Sequence, residues 1–167
     1  MTRSFRRIGA LCASTVAAVS FAAAAAPAHA AAGDGFEFTL YAKQVPASGA
    51  SASMPAPKVG DVLTFADDLY KTKGGAKVGR DGVTCSVVRV SGDQADMNCV
   101  GTIVLNGGPG GQLTAQALAT VDITNEAPAA LDIAVTGGTG DFTQARGYIR
   151  STPDGDYDRM EFHITTR

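Results

Sequence analysis

The stretch Val135–Tyr148, VTGGTGDFTQARGY, places four glycines around one Asp, one Phe and one Arg. A phosphate-binding loop requires Lys and Ser or Thr directly after its last glycine, and a dinucleotide-binding loop requires a further glycine at fixed spacing before a helix. Neither pattern is present, and β-like alternation resumes at Gly147. Because glycine adopts positive φ without strain, the stretch predicts a tight turn between two strands.

The remainder of the chain shows the same organisation. Short runs with alternating apolar residues are separated by turn segments such as TKGGAK, NGGPGG and PDGD. Turns at intervals of about 8 to 12 residues are typical of an antiparallel sandwich or barrel, and a barrel leaves no exposed edge. Residues 112–120, rich in Ala and Leu, also suit a helix. Residues 44–60, rich in Pro, Ala, Ser and Gly, are predicted to form a long flexible loop.

The N-terminal segment, residues 1–30, is predicted to be a secretory signal peptide. Three arginines within the first seven residues precede the uncharged, Ala-rich residues 8–26 and the small-residue site Ala28-His29-Ala30. A transmembrane anchor is the alternative, but the run is short. Cleavage near Ala30 predicts a secreted β domain over residues 31–167, exported by the general or the twin-arginine route.

The charge of the mature chain argues against two kinds of partner. Without the three signal arginines, the 14 basic residues become 11 against 16 acidic residues, a net charge of about −5. A negative exported domain is poorly suited to bind nucleic acid or an anionic membrane. We therefore expect neither as a partner.

Cys85 and Cys99 are the cysteines that remain after the signal peptide. In an oxidising compartment such a pair predicts a disulfide. The two residues lie at similar distances from the predicted turn Ser91-Gly92-Asp93, within apolar alternation, which favours a cross-strand bridge facing the core. Two free buried thiols are the alternative. With His163 as the only mature histidine, no metal site is expected.

The opening stretch closely resembles the GGTG-x-[FY]-x-x-A-x-G signature of the dirigent and allene oxide cyclase-like barrel superfamily. The segments VGDVLTFADDLYK, VGRDGVTCSVVR and GGQLTAQA resemble further family segments in the same order. The resemblance extends from Phe36 to the C-terminus, except for the Pro- and Ser-rich loop. It implies a single eight-stranded antiparallel β-barrel with an apolar pocket, and we expect no cofactor. It also implies a homotrimer, with a homodimer as the alternative.

The resemblance to the plant cyclases is incomplete at their pocket residues. Asp67 stands at the position of a pocket Asn, and Cys85 at that of a pocket Cys. No carboxylate near residues 41–44 replaces the family's glutamate, and Ala119 occupies the expected tyrosine position. The predicted disulfide would also consume Cys85. The epoxide-opening reaction of the plant cyclases is therefore not expected.

The resemblance to dirigent proteins implies a different role. Dirigent proteins hold two phenoxy radicals, made by an external oxidase, and fix the face on which they couple. Asp141 and Arg146 match the GGTG-D-F-x-x-A-R-G context and are ligand-binding candidates, together with Asp67 and Tyr70. The structural alternative is that Asp141 caps the turn and pairs with Arg146, while Tyr70 packs.

Three functions follow for a barrel without a recognisable nucleophile motif. The first is steering of the coupling or cyclisation of a hydrophobic or phenolic small molecule. The second is isomerisation or cyclisation of a lipid or polyketide-like substrate, for which orientation alone is effective. The third is a secreted carrier or interaction barrel without chemistry. Turnover by the protein alone, or altered stereochemistry with an added oxidase, distinguishes them.

Overall fold

The computed structural model describes residues 35–46, 56–124 and 129–166, which belong to one compact unit within Ala31–Arg167. They contain eight strands: β1 (Gly35–Gln44), β2 (Val62–Tyr70), β3 (Lys77–Ser91), β4 (Gln94–Leu105), β5 (Gly111–Asp122), β6 (Leu131–Gly140), β7 (Arg146–Asp154) and β8 (Tyr157–Thr165). Each strand pairs antiparallel with the next, and β8 pairs with β1 to close the barrel. The predicted eight-stranded antiparallel barrel is confirmed.

Two details of the sequence prediction are resolved by this arrangement. Residues 112–120, which also suited a helix, lie in strand β5. Within the described ranges, no helix has the length and hydropathy needed to cross a membrane. The predicted signal peptide and residues 47–55 of the predicted loop lie outside the described residues.

The opening stretch is a turn between strands, as predicted. Residues 141–144 form the turn between β6 and β7, and Gly140 before it has a φ of 64°. Gly147, after it, has a φ of 132°, and an added Cβ there would lie 2.0 Å from the carbonyl oxygen of His163. Only glycine allows β7 and β8 to approach this closely. The spacing of glycines in the motif therefore reflects the backbone of the barrel.

One end of the barrel, called here the closed end, is filled by aromatic and aliphatic side chains. Phe142 points from the β6–β7 turn into the barrel and is fully buried. Its ring contacts Phe36 edge-on at 5.3 Å between centroids, and Phe38 stacks on Phe162 at 4.5 Å. Burying such rings stabilises the fold by about 2 to 3 kcal/mol each. This packing closes the barrel on the side of the glycine-rich turns.

In the other half of the barrel, part of the interior beside β2 and β3, called here the mouth, is less completely buried. Phe65 pairs with Val83, and Leu63 pairs with Cys85, within the alternation that faces the lumen. Phe65, Val83 and Leu63 are nevertheless only half-buried. Inward residues that remain partly exposed border space reached by solvent. The mouth is therefore an apolar opening at the end where β1 leads toward β2.

The disulfide predicted from the sequence joins β3 to β4. Cys85 pairs directly with Cys99 in the strand register, and their Cα atoms are 4.0 Å apart. Cys85 is buried and Cys99 is half-buried, both on the lumen side of the wall. The turn between these strands is one residue shorter than predicted, because Ser91 pairs with Gln94 and leaves only Gly92 and Asp93 in the turn.

Candidate functional site

Two carboxyl groups face each other inside the barrel, at the boundary between the packed core and the mouth. Asp67 of β2 is the register partner of Asp81 of β3. The backbone N–H of Asp67 donates a hydrogen bond of 3.1 Å to Oδ1 of Asp81. The two carboxyl groups also share a hydrogen bond. We call these two residues the acid pair.

The neighbours of the acid pair show how deep it lies inside the barrel. On one side, Asp81 pairs with Ile103, which is buried in the core. On the other side, the next inward residues are Phe65 and Val83, which are half-buried at the mouth. The acid pair therefore forms the polar floor of an opening whose walls at Phe65 and Val83 are apolar.

Burial changes the protonation of the acid pair. Desolvation, reinforced by the charge of Asp67, raises the pKa of Asp81 to about 7. Desolvation also raises the pKa of Asp67. Asp158 of β8, more exposed at the mouth, adds further negative charge, and partial burial raises its pKa as well. Because the two carboxyls interact strongly, they titrate as a unit that retains one proton near neutral pH.

This arrangement has the elements of general acid–base chemistry. A protonated carboxyl donates a proton while its ionised neighbour accepts one, and a pKa near the working pH suits both steps. Within the described ranges, no group of three His, Cys, Asp or Glu side chains is placed to hold a metal ion. The site consists of the carboxyl groups and the apolar walls around them.

The candidate residues from the sequence fall in three different places. Asp67 lies in the lumen, and its contact with a ligand stays a prediction. Tyr70 lies on the outer wall, where its ring meets Tyr157 edge-on at 6.2 Å. Asp141 and Arg146 lie at the closed end, separated from the mouth by the core around Phe142. The structure therefore does not bring these four residues together.

Asp141 and Arg146 make structural hydrogen bonds at the closed end. Oδ2 of Asp141 accepts a bond of 2.9 Å from the backbone N–H of Gly110, so it caps a turn as the structural alternative proposed. Nη1 of Arg146 donates to the carbonyl oxygens of Thr136 and Ala145 at 3.0 and 2.6 Å. A ligand contact by either residue stays a prediction.

Asp81 was missed in the sequence, although a signal was present. Val83, Cys85 and Val87 alternate as inward positions of one strand, and Asp81 continues this series by two residues. A carboxyl group at an inward-facing position of a strand is buried unless the strand ends before it. Buried carboxyl groups frequently mark functional sites. Its partner, Asp67, was identified only through the family comparison.

Comparison with known families agrees with this fold. The family model described as allene oxide cyclase barrel like domain matches residues 42–164. The chain belongs to this family, and the predicted membership in the dirigent and allene oxide cyclase-like barrel superfamily is confirmed. No curated protein shows a significant match to the sequence.

Several solved structures share the barrel. Pyocyanin demethylase is 27% identical, with a TM-score of 0.62 over 78% of this chain and 100% of that chain. A pterocarpan synthase dirigent protein is 21% identical, with a TM-score of 0.56 over 87% and 96%. A nonspecific heme-binding cyclase, which catalyses a [4 + 2] cycloaddition in neoabyssomicin biosynthesis, is 16% identical, with a TM-score of 0.54 over 80% and 68%. At their identities, the last two show a common fold only.

Proposed function

We propose that this protein is an exported barrel that binds a hydrophobic small molecule at its mouth and catalyses its isomerisation or cyclisation by proton transfer. The acid pair at the floor of the apolar opening carries this proposal. The family and the solved relatives, which include proteins named as a demethylase, a synthase dirigent protein and a cyclase, support a general role in binding or cyclising small molecules.

In the proposed reaction, the acid pair both accepts and donates the proton. The ionised carboxyl, assigned to Asp67, accepts a proton from the bound molecule, and the protonated carboxyl of Asp81 donates one elsewhere on it. The hydrogen bond between the two carboxyls then returns the proton from Asp67 to Asp81, so that no co-reactant is consumed. Such catalysis contributes about 10² to 10⁴ in rate, and the walls of the mouth contribute orientation.

Dirigent-like steering is the second candidate. The half-buried walls of the mouth offer shape, and the acid pair offers hydrogen-bond acceptors that suit phenolic hydroxyl groups. In this case the carboxyls orient two radicals that an external oxidase produces, and the barrel itself transfers no proton. A carrier without chemistry uses the same mouth and binds its ligand unchanged.

Ligand identification and solvent exchange test the proposal. Protein purified after expression of the full chain is analysed by native mass spectrometry for a co-purified molecule, which is then incubated with fresh protein in D₂O. We expect turnover by the protein alone, solvent deuterium in the product, and a loss of at least about 100-fold in kcat for Asp81→Asn. Asp156→Asn, in the exposed β7–β8 turn, is the control.

Other outcomes assign the alternatives. A changed stereochemical ratio only when a one-electron oxidase is added supports steering and contradicts proton-transfer catalysis. Recovery of the unchanged ligand under both conditions supports a carrier. Equal turnover by Asp81→Asn and the unsubstituted protein rules out the acid pair as the catalytic group, whatever product forms.

A further inference from the structure

Three of the four tyrosines of the chain lie together on the outer wall of the barrel. Tyr41 of β1 and Tyr70 of β2 are register partners, and both rings meet Tyr157 of β8 edge-on, at 6.5 and 6.2 Å between centroids. All three residues are half-buried. Half-buried tyrosines present both a ring and a hydroxyl group at a surface, and tyrosine is enriched where proteins bind other molecules.

Basic residues surround the three tyrosine rings. Lys43 lies over the ring of Tyr157 and Lys73 over the ring of Tyr41, at 5.3 and 5.8 Å from the ammonium nitrogen to the ring centroid. The strand register and the β2–β3 turn place four more basic residues around them. We call the three tyrosines and the six basic residues the tyrosine face; the basic residues are Lys43, Lys71, Lys73, Lys77, Arg80 and Arg159.

The tyrosine face differs in charge from the rest of the domain. Residues 31–167 carry 11 basic and 16 acidic side chains. The six basic residues of the face have four acidic neighbours, which gives this area a net charge of about +2; the neighbours are Asp68, Asp154, Asp156 and Glu161. The rest of residues 31–167 then holds five basic and 12 acidic side chains. A positive area on an acidic domain attracts anionic partners to that area.

Two lysines of the tyrosine face are available to an anion. Lys73 and Lys77 each pair with a carboxylate at 2.5 Å. Among the described residues, no ion pair involves Lys43 or Lys71, and both side chains are exposed. A cation–π contact holds the ammonium group of Lys43 over the ring of Tyr157. Two positive charges without a carboxylate partner therefore lie beside the three rings.

Hydrogen bonds fix the β2–β3 turn, which carries Lys71, against the β7–β8 hairpin. The backbone N–H of Gly74 donates a bond of 3.1 Å to the hydroxyl oxygen of Tyr157. Nζ of Lys73 donates a bond of 3.0 Å to the backbone carbonyl oxygen of Asp154. These bonds hold the turn and the tyrosines in one surface. A surface that is ordered before binding loses less conformational entropy when a partner binds.

We propose that the tyrosine face binds an acidic polysaccharide, a chain of sugars that carry carboxylate groups. The carboxylates contact the ammonium groups of Lys43 and Lys71, and the sugar rings lie against the tyrosines. A sugar offers C–H groups to an aromatic ring and hydroxyl groups to a phenol, which both donates and accepts hydrogen bonds. This binding is separate from the proposed chemistry of the acid pair, which lies inside the barrel.

Other anionic partners fit the tyrosine face less well. A protein partner requires exposed apolar side chains as anchors, and Val88, Val100 and Leu118, which are such side chains, lie on strands β3 to β5. A membrane surface requires apolar side chains that insert, whereas the three tyrosines are half-buried in the wall. A nucleic acid duplex carries one charge per about 1.7 Å, and the net charge of about −5 over residues 31–167 repels so dense a polyanion.

Calorimetric titration with polygalacturonate, a linear polymer of an acidic sugar, tests the proposal. We expect the full chain to bind it with an affinity that falls as salt is added, and to bind its fully methyl-esterified, uncharged form at least about fivefold more weakly. The double variant Lys43→Gln/Lys71→Gln should lose at least about fivefold in affinity, and Tyr41→Ala should also bind more weakly. The controls are Lys58→Gln and Tyr148→Ala, which lie outside the face and should change the affinity by less than about twofold.

Four results would overturn the proposal. They are no binding of polygalacturonate, equal binding of the esterified polymer, equal losses in the face variants and their controls, and equal or tighter binding of polyglutamate or of phosphatidylglycerol vesicles. The last result would assign the face to an acidic peptide or to a membrane. Circular dichroism melting checks that each variant folds. The lysine variant alters only exposed side chains, so it decides the case if Tyr41→Ala does not fold.

Discussion

Replacing Asp81 by Asn should change how the stability of the barrel depends on pH. The pKa of Asp81 is 3.8 in the unfolded chain and about 7 in the barrel. Between these values the folded chain binds more protons than the unfolded chain, so the free energy of unfolding falls as pH rises. The loss is complete once pH exceeds the folded pKa.

The magnitude follows from the size of this pKa difference. At 1.36 kcal/mol per pKa unit, a change from 3.8 to about 7 corresponds to about 4 kcal/mol between pH 4 and pH 8. In Asp81→Asn, Oδ1 still accepts the N–H of Asp67, and Nδ2 donates to its carboxylate in place of the acidic proton. The variant should therefore match the unsubstituted protein near pH 4 and exceed its stability by about 4 kcal/mol at pH 8.

Urea unfolding at half-unit steps from pH 4 to pH 8.5 measures this difference. The difference between the variant and the unsubstituted protein at each pH removes the effects of the carboxyl groups that both proteins share. Asp156→Asn, an exposed carboxyl in the β7–β8 turn, is the matched control and should follow the unsubstituted protein throughout. A constant difference between Asp81→Asn and the unsubstituted protein over the whole range would refute the assignment of a raised pKa to this carboxyl.

Three further perturbations test the fold and the closed end. Replacing both Cys85 and Cys99 by Ala, or reducing the disulfide, should lower the free energy of unfolding by about 3 kcal/mol, because the bridge closes a loop with a sequence separation of 14; denaturation with and without reductant measures it. Phe142→Ala should lower the free energy of unfolding by about 3 to 5 kcal/mol, because this fully buried ring fills the closed end. A melting temperature equal to that of the unsubstituted protein would contradict this packing. Asp141→Ala removes the hydrogen bond from the N–H of Gly110 and should lower the free energy of unfolding by about 1 kcal/mol. If this variant instead keeps its stability but loses affinity for the co-purified ligand, the result would support the ligand contact predicted from the sequence.

The barrel was predictable because local signals agreed along the chain. The turn glycines of the opening stretch and the alternation around Cys85 and Cys99 each indicated antiparallel strands. The pairing of the cysteines followed from counting residues on both sides of one turn. The residue pattern did not distinguish a closed barrel from a sandwich, because apolar and polar residues alternate in the same way in the strands of both folds. The family resemblance supplied that step.

The candidate site was less predictable because it depends on which residues meet across the sheet. Tyr70 is adjacent in sequence to the lumen-facing Leu69, and the period of two therefore directs it to the outer wall. Asp141 and Arg146 follow strand β6 at the end of the barrel opposite the mouth. A sequence motif fixes the local backbone, but the distance from a turn to a cavity depends on strand length and direction.

The acid pair has a physical consequence for ligand binding by this barrel. Two facing carboxyls at the floor of an apolar opening destabilise the barrel at neutral pH, and amide or apolar side chains of similar volume at these positions would remove that effect. A buried group of this kind is informative because the fold does not require it: the disulfide and the closed-end core stabilise the barrel independently of it. The acid pair lies where the mouth meets the core, so a bound molecule that gives a proton to this pair, or donates a hydrogen bond to it, relieves the repulsion between the carboxyls. Binding should therefore be strongest at a pH where the pair is fully ionised in the empty barrel, and this coupling between ligand affinity and pH is absent if the pair serves only as structure.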